Sequence, residues 1–395
     1  MRKASPAWAA APVFLAQLIS VAGDKMFAIA LSWWVISNDA LPDREWTLGL
    51  LLAASTLPIA LSGPLLGPFI DKHDKRTCMV VADISRLLLM SALAWLIHDG
   101  ALTLPRLLAL SMPLFAFAPL FDSAVSASLS ALAKSPAMLG RLVALESAMP
   151  NVGAALGALF GSFALAGGGV EGAFWFNAGS FFISLLLVSR LPALPAAALP
   201  HGAEDAGGSF FRRYPEAGRL LVLFGIINFF WVPVFLYLPL LVRDVLKAGG
   251  SQLGLLELAF ALGNLLLFGY FSLRPGVFFR TRWLRVVLVA ASAGFMWCLG
   301  SVESLDMMLA ILLVWGASFA FLSYLVFSSF QRTIPDSHKG RFFGTLTSVS
   351  TLSFPLGFVC FGYLVSRFPL REIIVGNAAC VLLLSLTLLT VPDER

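Results

Sequence analysis

Asp24, Asp122, Glu146 and Glu257 stand inside long apolar stretches, where a carboxylate can serve to bind a proton, a substrate or a basic partner. A charged group at the centre of a hydrocarbon layer costs on the order of 3 kcal/mol or more, so an acid retained there is a candidate for function. Asp24 leads. Counted at about 1.5 Å per residue from the start of an overlong first segment, it falls near mid-membrane. It either carries a proton or meets substrate, or it closes an internal salt bridge. Lys25 points about 100° away around the same helix, so it pairs elsewhere or snorkels. Asp83 and Arg86 are three residues apart, share a helix face, and are expected to neutralise each other. Asp122 and Glu146 either carry a proton or partner Arg76, Arg86 or Arg141 as a gate, the gate being preferred. Glu257 is an external proton or substrate contact, or an acid suited to the first turns of its helix.

Gln17, Asn151, Asn177, Asn228 and Asn264 are neutral polar residues in apolar surroundings, which directs them toward the protein interior. With Lys25, Trp34 and Trp231 they are the expected lining of a cavity that accepts amphipathic molecules by stacking and apolar contact. Metal and cofactor chemistry finds no support: Cys78, Cys298, Cys360 and Cys380 lack paired spacing, and His73, His98, His201 and His338 fall in loops or at helix ends. No soluble-enzyme motif is present, so the chain is not expected to be an enzyme.

The elements that must position these residues follow from composition. Of 395 residues, 59% are hydrophobic and 12% charged, against roughly a quarter charged in a soluble domain. Apolar runs of about 20 residues, enough to span a hydrocarbon core, recur along the chain. They predict crossings near 7–37, 47–70, 77–98, 104–132, 138–165 and 171–190, a Pro- and Gly-rich linker at 191–215, and crossings near 217–242, 251–273, 283–302, 305–330, 340–366 and 369–391. The first stretch, Ala7 to Ser37, is too long for a cleaved signal peptide and reads as a retained helix. The domains are therefore a six-helix bundle at 1–190, the linker, and a six-helix bundle at 216–395.

Net charge is +5, but the placement of the basic residues explains it better than nucleic acid would. With a cytoplasmic amino terminus, only Arg44, Arg106, Arg243, Lys247, Arg367 and Arg371 fall on the opposite side and Lys25 and Arg86 inside helices, while the rest are cytoplasmic, as the positive-inside rule requires. Both termini are then cytoplasmic. The halves also repeat a local pattern: Pro136, Gly140-Arg141 and Gly157 recur as Pro335, Gly340-Arg341 and Gly357, at the fifth and eleventh crossings, as a duplicated unit requires.

The loop after the second crossing reads Gly67-Pro68-Phe69-Ile70-Asp71-Lys72-His73-Asp74-Lys75-Arg76. Gly67 allows close helix approach, Asp71 can meet a helix N-terminus, and the basic residues can pair with acids on neighbouring helices. Such contacts form a conformational latch, extended by Asp83, Arg86, Arg141 and Arg341; the plainer alternative is a positive-inside anchor. The loop resembles the signature of the major facilitator superfamily: Gly, three residues, Asp, a basic residue, any residue, Gly and two basic residues. Asp74 replaces the second Gly, as in the macrolide-efflux and siderophore-exporter branch. That branch is also resembled by Gly23-Asp24, Phe121-Asp122-Ser123-Ala124, Leu253-Gly254-Leu255-Leu256-Glu257 and Pro335 to Arg341. Gly153, Gly157 and Gly161 partly resemble the family's antiporter signature, with Ala158 where it has Pro and Ser162 where it has Gly; alternatively they form a close-packing stripe.

The resemblance implies an all-α fold of 12 transmembrane helices in two pseudo-symmetric bundles, a monomer in the inner membrane and no cofactor. It implies proton-coupled, alternating-access efflux of an amphipathic small organic molecule, drug- or siderophore-like, with substrate, protons and membrane lipid as partners. The alternatives are a lysophospholipid flippase, loosely resembled at Gln17, Gly23-Asp24 and Leu145-Glu146, a siderophore importer of the same fold, and a non-transporting sensor.

Overall fold

In lipid a backbone polar group must be satisfied within its own segment, which leaves the helix as the natural element for so apolar a chain. The computed structural model describes residues 6–133, 135–194, 215–273, 282–334 and 336–390, and every regular element among them is helical. Lys134, Pro335 and 195–214, most of the expected linker, lie outside the described residues, as do the side chains of Asp71 and Arg341 and the surroundings of Gly67. In chain order the helices are α1 (Pro6–Ser37), α2 (Arg44–Lys72), α3 (Lys75–His98), α4 (Leu104–Leu132), α5 (Pro136–Val188), α6 (Pro215–Trp231), α7 (Val234–Asp244), α8 (Gly250–Leu273), α9 (Arg282–Leu299), α10 (Leu305–Thr333), α11 (Asp336–Arg367) and α12 (Leu370–Thr387), with a closing 3-10 turn at Leu388–Thr390.

Ten helices among the described residues are long and apolar enough to cross a membrane, and the protein is an all-helical, multi-pass membrane protein. Large apolar side chains on its outside agree: Leu88, Phe163, Leu266 and Leu383 are each at least 65% exposed. Facing water these would invite aggregation, whereas facing lipid they are in their preferred solvent.

Two helices depart from a single straight crossing. At 53 residues α5 would extend about 80 Å, more than twice a hydrocarbon core. Gly169, with φ at 61°, breaks it. The chain doubles back there, since the rings of Phe160 and Phe176 come within 5.8 Å. The seventh expected crossing, 217–242, is instead divided into α6 and α7. Pro233 supplies no N–H to the ladder at the break, and Asn377 on α12 donates to the carbonyl of Phe230 (3.0 Å) and to the Tyr237 hydroxyl (3.0 Å), holding both sides of the break.

The fold resolves into two compact units. The first takes α1 to Trp34, α2 from Ala54, α3 to α5 and Leu253–Leu255; the second takes Val35–Ala53 and the remaining described helices. Within the first, Gly153, Gly157 and Gly161 line the face of α5 against α1. A methyl on Gly153 would lie 2.6 Å from Val21 Cγ1, one on Gly157 would run into the carbonyl of Ala22, and one on Gly161 would meet Met26. Helices without a hydrophobic driving force between them associate through such close backbone contact. The stripe thereby fixes the stretch of α1 that carries Asp24.

Candidate functional site

Arg86 is the centre of the site. Its side chain is 1% exposed, on α3 and inside the first unit, and an unaccompanied guanidinium there would be prohibitively placed. Three elements supply its company. From α1, Ser20 accepts a hydrogen bond from Nη1 (2.8 Å) and Asp24 accepts one from Nη2. Phe181 of α5 lies under the guanidinium, 4.1 Å from ring centroid to Cζ, and Phe121 of α4 lies 5.9 Å away. Cation–π contacts of this kind hold a cation without neutralising it.

Asp83 is the second carboxylate in reach. It is fully buried, Ser184 of α5 donates to its Oδ2 at 2.6 Å, and its Oδ1 stands 4.0 Å from Arg86 Nη1. The expected Asp83–Arg86 pair is present at the outer limit of an ion pair, and Asp24 and Ser20, which the spacing did not reveal, take the closer contacts of Arg86. The reason is geometric, because spacing along α3 brings Asp83 alongside, while α1 places Ser20 and Asp24, one turn apart, in front of the guanidinium fork. Among the described residues, Asp83 Oδ1 and Arg86 Nε have no hydrogen-bond partner. One guanidinium thus faces two carboxylates, with capacity left over on both sides.

Exposure separates the two acids. Asp24 has a side chain 33% exposed, whereas Asp83 has none of its surface exposed. Of the two, only Asp24 keeps part of its side chain outside the packed interior. Gly23 beside it is required by close packing, since a methyl there would run into Asn177 Oδ1 and Ser180 Oγ. Asn177 is buried and donates to Met90 Sδ (3.4 Å).

Asp122 is exposed on α4, and Gln17 is buried on α1. Glu146 accepts from Ser126 and Arg141 is exposed, so neither acid takes Arg86 from Asp24. In the loop between α2 and α3 the expected pairing of basic residues with acids gives way to backbone contacts. Lys75, buried, donates to the carbonyl of Ile70, and Arg76 donates to that of Ser189 (2.6 Å). Asp74 caps α3 by accepting from the Thr77 N–H (2.9 Å), and also accepts from the Leu194 N–H (2.6 Å). Carbonyls and amides left over at helix ends are the nearest partners here, which is why these side chains turn to them. Lys72 is exposed.

Of the other expected residues, Glu257, Asn228, Trp231 and Asn264 belong to the second unit, and Lys25, Trp34 and Asn151 to the first. Glu257, Asn228, Trp231 and Asn264 are buried, and Asn228 donates to the Phe224 carbonyl of its own helix (2.8 Å). Trp231 packs on Phe319 (5.0 Å), which packs on Phe260 (5.8 Å). Lys25, Trp34 and Asn151 are half-buried. Sequence reading missed Ser20, Phe181 and Ser184, because a serine or phenylalanine among apolar residues carries no signal of its own. It also missed Arg243, which bonds to Glu45 (2.8 Å), Asp244 (2.6 Å) and the Ile36 carbonyl (3.2 Å).

The family described as Major Facilitator Superfamily matches residues 13–358. "Uncharacterized MFS-type transporter YfiS" of Bacillus subtilis (strain 168) is 25% identical over 369 residues, covering 86% of this chain and 83% of its own. "Enterobactin exporter EntS" of Escherichia coli O1:K1 / APEC is 26% identical over 376 residues, covering 91% and 85%. Among solved structures, a bacterial homolog to the human lysosomal transporter Spinster, inward-facing and occupied, matches with a TM-score of 0.75 at 15% identity, over 99% of this chain and 97% of that one.

Proposed function

The chain belongs to the major facilitator superfamily and is a transporter, not an enzyme; from that premise we propose that it exports an amphipathic small organic molecule, drug- or siderophore-like, in exchange for protons. The similarity to an enterobactin exporter supports the substrate class and direction. The carrying observation is Arg86 held between a partly exposed Asp24 and a buried Asp83.

The chemistry follows from charge. With both acids ionised the cluster holds one net negative charge in a site where an uncompensated ion is costly. A proton on Asp24 removes that charge and weakens its hold on Arg86, which keeps Asp83 and the Phe181 ring as company. Proton binding thereby changes which groups hold α1 to α3. The protonated and deprotonated clusters favour different packings of the two helices, and alternating access couples to that difference. Asp122 and Glu146 serve as further acids near the proton path, and Glu257 as an acid of the second half. Gln17, Lys25, Trp34, Asn151, Asn177, Asn228, Trp231 and Asn264 contribute to substrate binding. The loop from Gly67 to Arg76, with Asp83, Arg86, Arg141 and Arg341, acts as the latch.

The wider arrangement proposed is that of twelve crossings in bundles at 1–190 and 216–395, joined at 191–215. The protein sits as a monomer in the inner membrane with both termini cytoplasmic. The test uses proteoliposomes loaded with enterobactin or, separately, ethidium. An imposed proton gradient accelerates movement of at least one probe in the wild type, and Asp24→Asn removes the acceleration. An unaltered mutant takes Asp24 out of the mechanism. Movement of a fluorescent lysophospholipid in place of both probes replaces the export reading with a flippase.

A further inference from the structure

Three of the membrane-spanning stretches come to an end at one place in the second unit. Pro215–Asp244 and Arg282–Leu299 begin there, and Leu370–Thr390 finishes there. Between them lies a cavity of about 370 Å³ lined by Pro215, Glu216, Arg219, Arg282, Leu389 and Thr390. Because apolar spans give way to polar sequence at this level, the cavity sits at the depth of lipid headgroups.

Its chemistry is that of an anion site. Among the described residues its lining carries two guanidiniums, Arg219 and Arg282, and one carboxylate, Glu216. Arg219 is held in place by donating to the Thr390 carbonyl (3.1 Å), which occupies one of its five donors and leaves others for a ligand. The first turns of α6 and α9 also lie here, and their positive dipole ends offset the negative end of the span that finishes at Thr390. The surroundings are apolar. Leu389 on the cavity wall continues along α12 as Leu386 (55% exposed) and Leu382 (50% exposed), and Trp283 beside Arg282 is 57% exposed. The spacing of 382 and 386 keeps these two leucines on one side of α12, with Leu389 in the 3-10 turn that follows, and an exposed tryptophan at a span end is the usual occupant of the headgroup layer.

We propose that this cavity binds the phosphate of an anionic membrane phospholipid, with the acyl chains lying along Leu386 and Leu382. A free phosphate ion shares the headgroup chemistry but has no use for the leucine stripe, which is why the lipid is the source assigned. The site is independent of the Asp24–Arg86 cluster and of what the protein transports.

Native mass spectrometry of the purified full-length protein tests this, with phosphatidylglycerol and phosphatidylcholine added in equal amounts and inorganic phosphate as a separate competitor. The wild type retains phosphatidylglycerol preferentially. Arg219→Gln with Arg282→Gln lowers that preference about fivefold for each cation removed. Glu216→Gln, which removes the opposing charge, raises it. Equal retention of the two lipids by the wild type overturns the proposal, and so does a preference unchanged in the double variant. If the double variant does not fold, failure of Glu216→Gln to raise the preference overturns it alone. Millimolar phosphate that binds the wild type and abolishes the lipid preference overturns the lipid as the source.

Discussion

Arg86 meets five groups contributed by four helices: Ser20, Asp24, Asp83, Phe121 and Phe181. Removing only the cation leaves two acids with no cation between them, whereas removing Arg86 together with Asp24 leaves one. Arg86→Leu is therefore expected to cost about 3–5 kcal/mol, and Arg86→Leu combined with Asp24→Leu to regain part of it, while proton-driven transport is lost in both. Thermal unfolding in detergent reads the first effect and gradient-driven uptake the second. Arg86→Lys is expected to keep the fold but lose transport at least tenfold, because an ammonium cannot reproduce the guanidinium fork shared by Ser20 and Asp24 or its stacking on Phe181. Asp24, Asp83 and Arg86 were legible as candidates because ionisable residues in apolar sequence are rare. The Asp83–Arg86 pair was legible from its spacing, but Arg86 as the partner of Asp24 was not, since i,i+3 spacing says nothing of what a neighbouring helix presents.

At the level of elements, the glycine stripe of α5 was legible as a packing face from its four-residue spacing, but its partner, α1, was not. Gly157→Ala is expected to destabilise the protein by about 1–3 kcal/mol, because the added methyl meets the backbone oxygen of Ala22, which has no rotamer in which to retreat. Gly140→Ala is the control, with no atom within 4 Å of its added methyl, and should leave thermal stability unchanged. Asp74 illustrates a different limit. As a departure from the superfamily's loop signature it stood out in the sequence, yet its use as the cap of α3 and as acceptor from Leu194 needed three-dimensional placement. Asp74→Ala should cost about 1 kcal/mol and speed hydrogen exchange at the Thr77 and Leu194 amides. Pro233 was visible, but a proline inside a membrane helix is often tolerated, so the division into α6 and α7 was not expected.

Over the whole molecule, the proposed duplication has a counterpart in two glycine contacts. Gly157 of α5 packs on the carbonyl of Ala22, and Gly357 of α11 lies where a methyl would be 3.0 Å from the carbonyl of Phe229. Gly157 thus packs against the backbone of α1 and Gly357 against that of α6. Two residues on from these carbonyls stand Asp24 in one half and Trp231 in the other, so matched places carry a titratable acid and a buried aromatic. That asymmetry fits the proposal that Asp24 carries the proton and that Trp231 contributes aromatic contact to substrate. The most direct test records luminal pH in proteoliposomes while substrate moves, using whichever of enterobactin or ethidium the protein carries, and compares wild type with Asp24→Asn. Substrate-driven proton movement in the wild type, lost in Asp24→Asn while substrate-for-substrate exchange persists, is the predicted result. Substrate flux without proton movement in the wild type, or equal proton movement in both proteins, would contradict it.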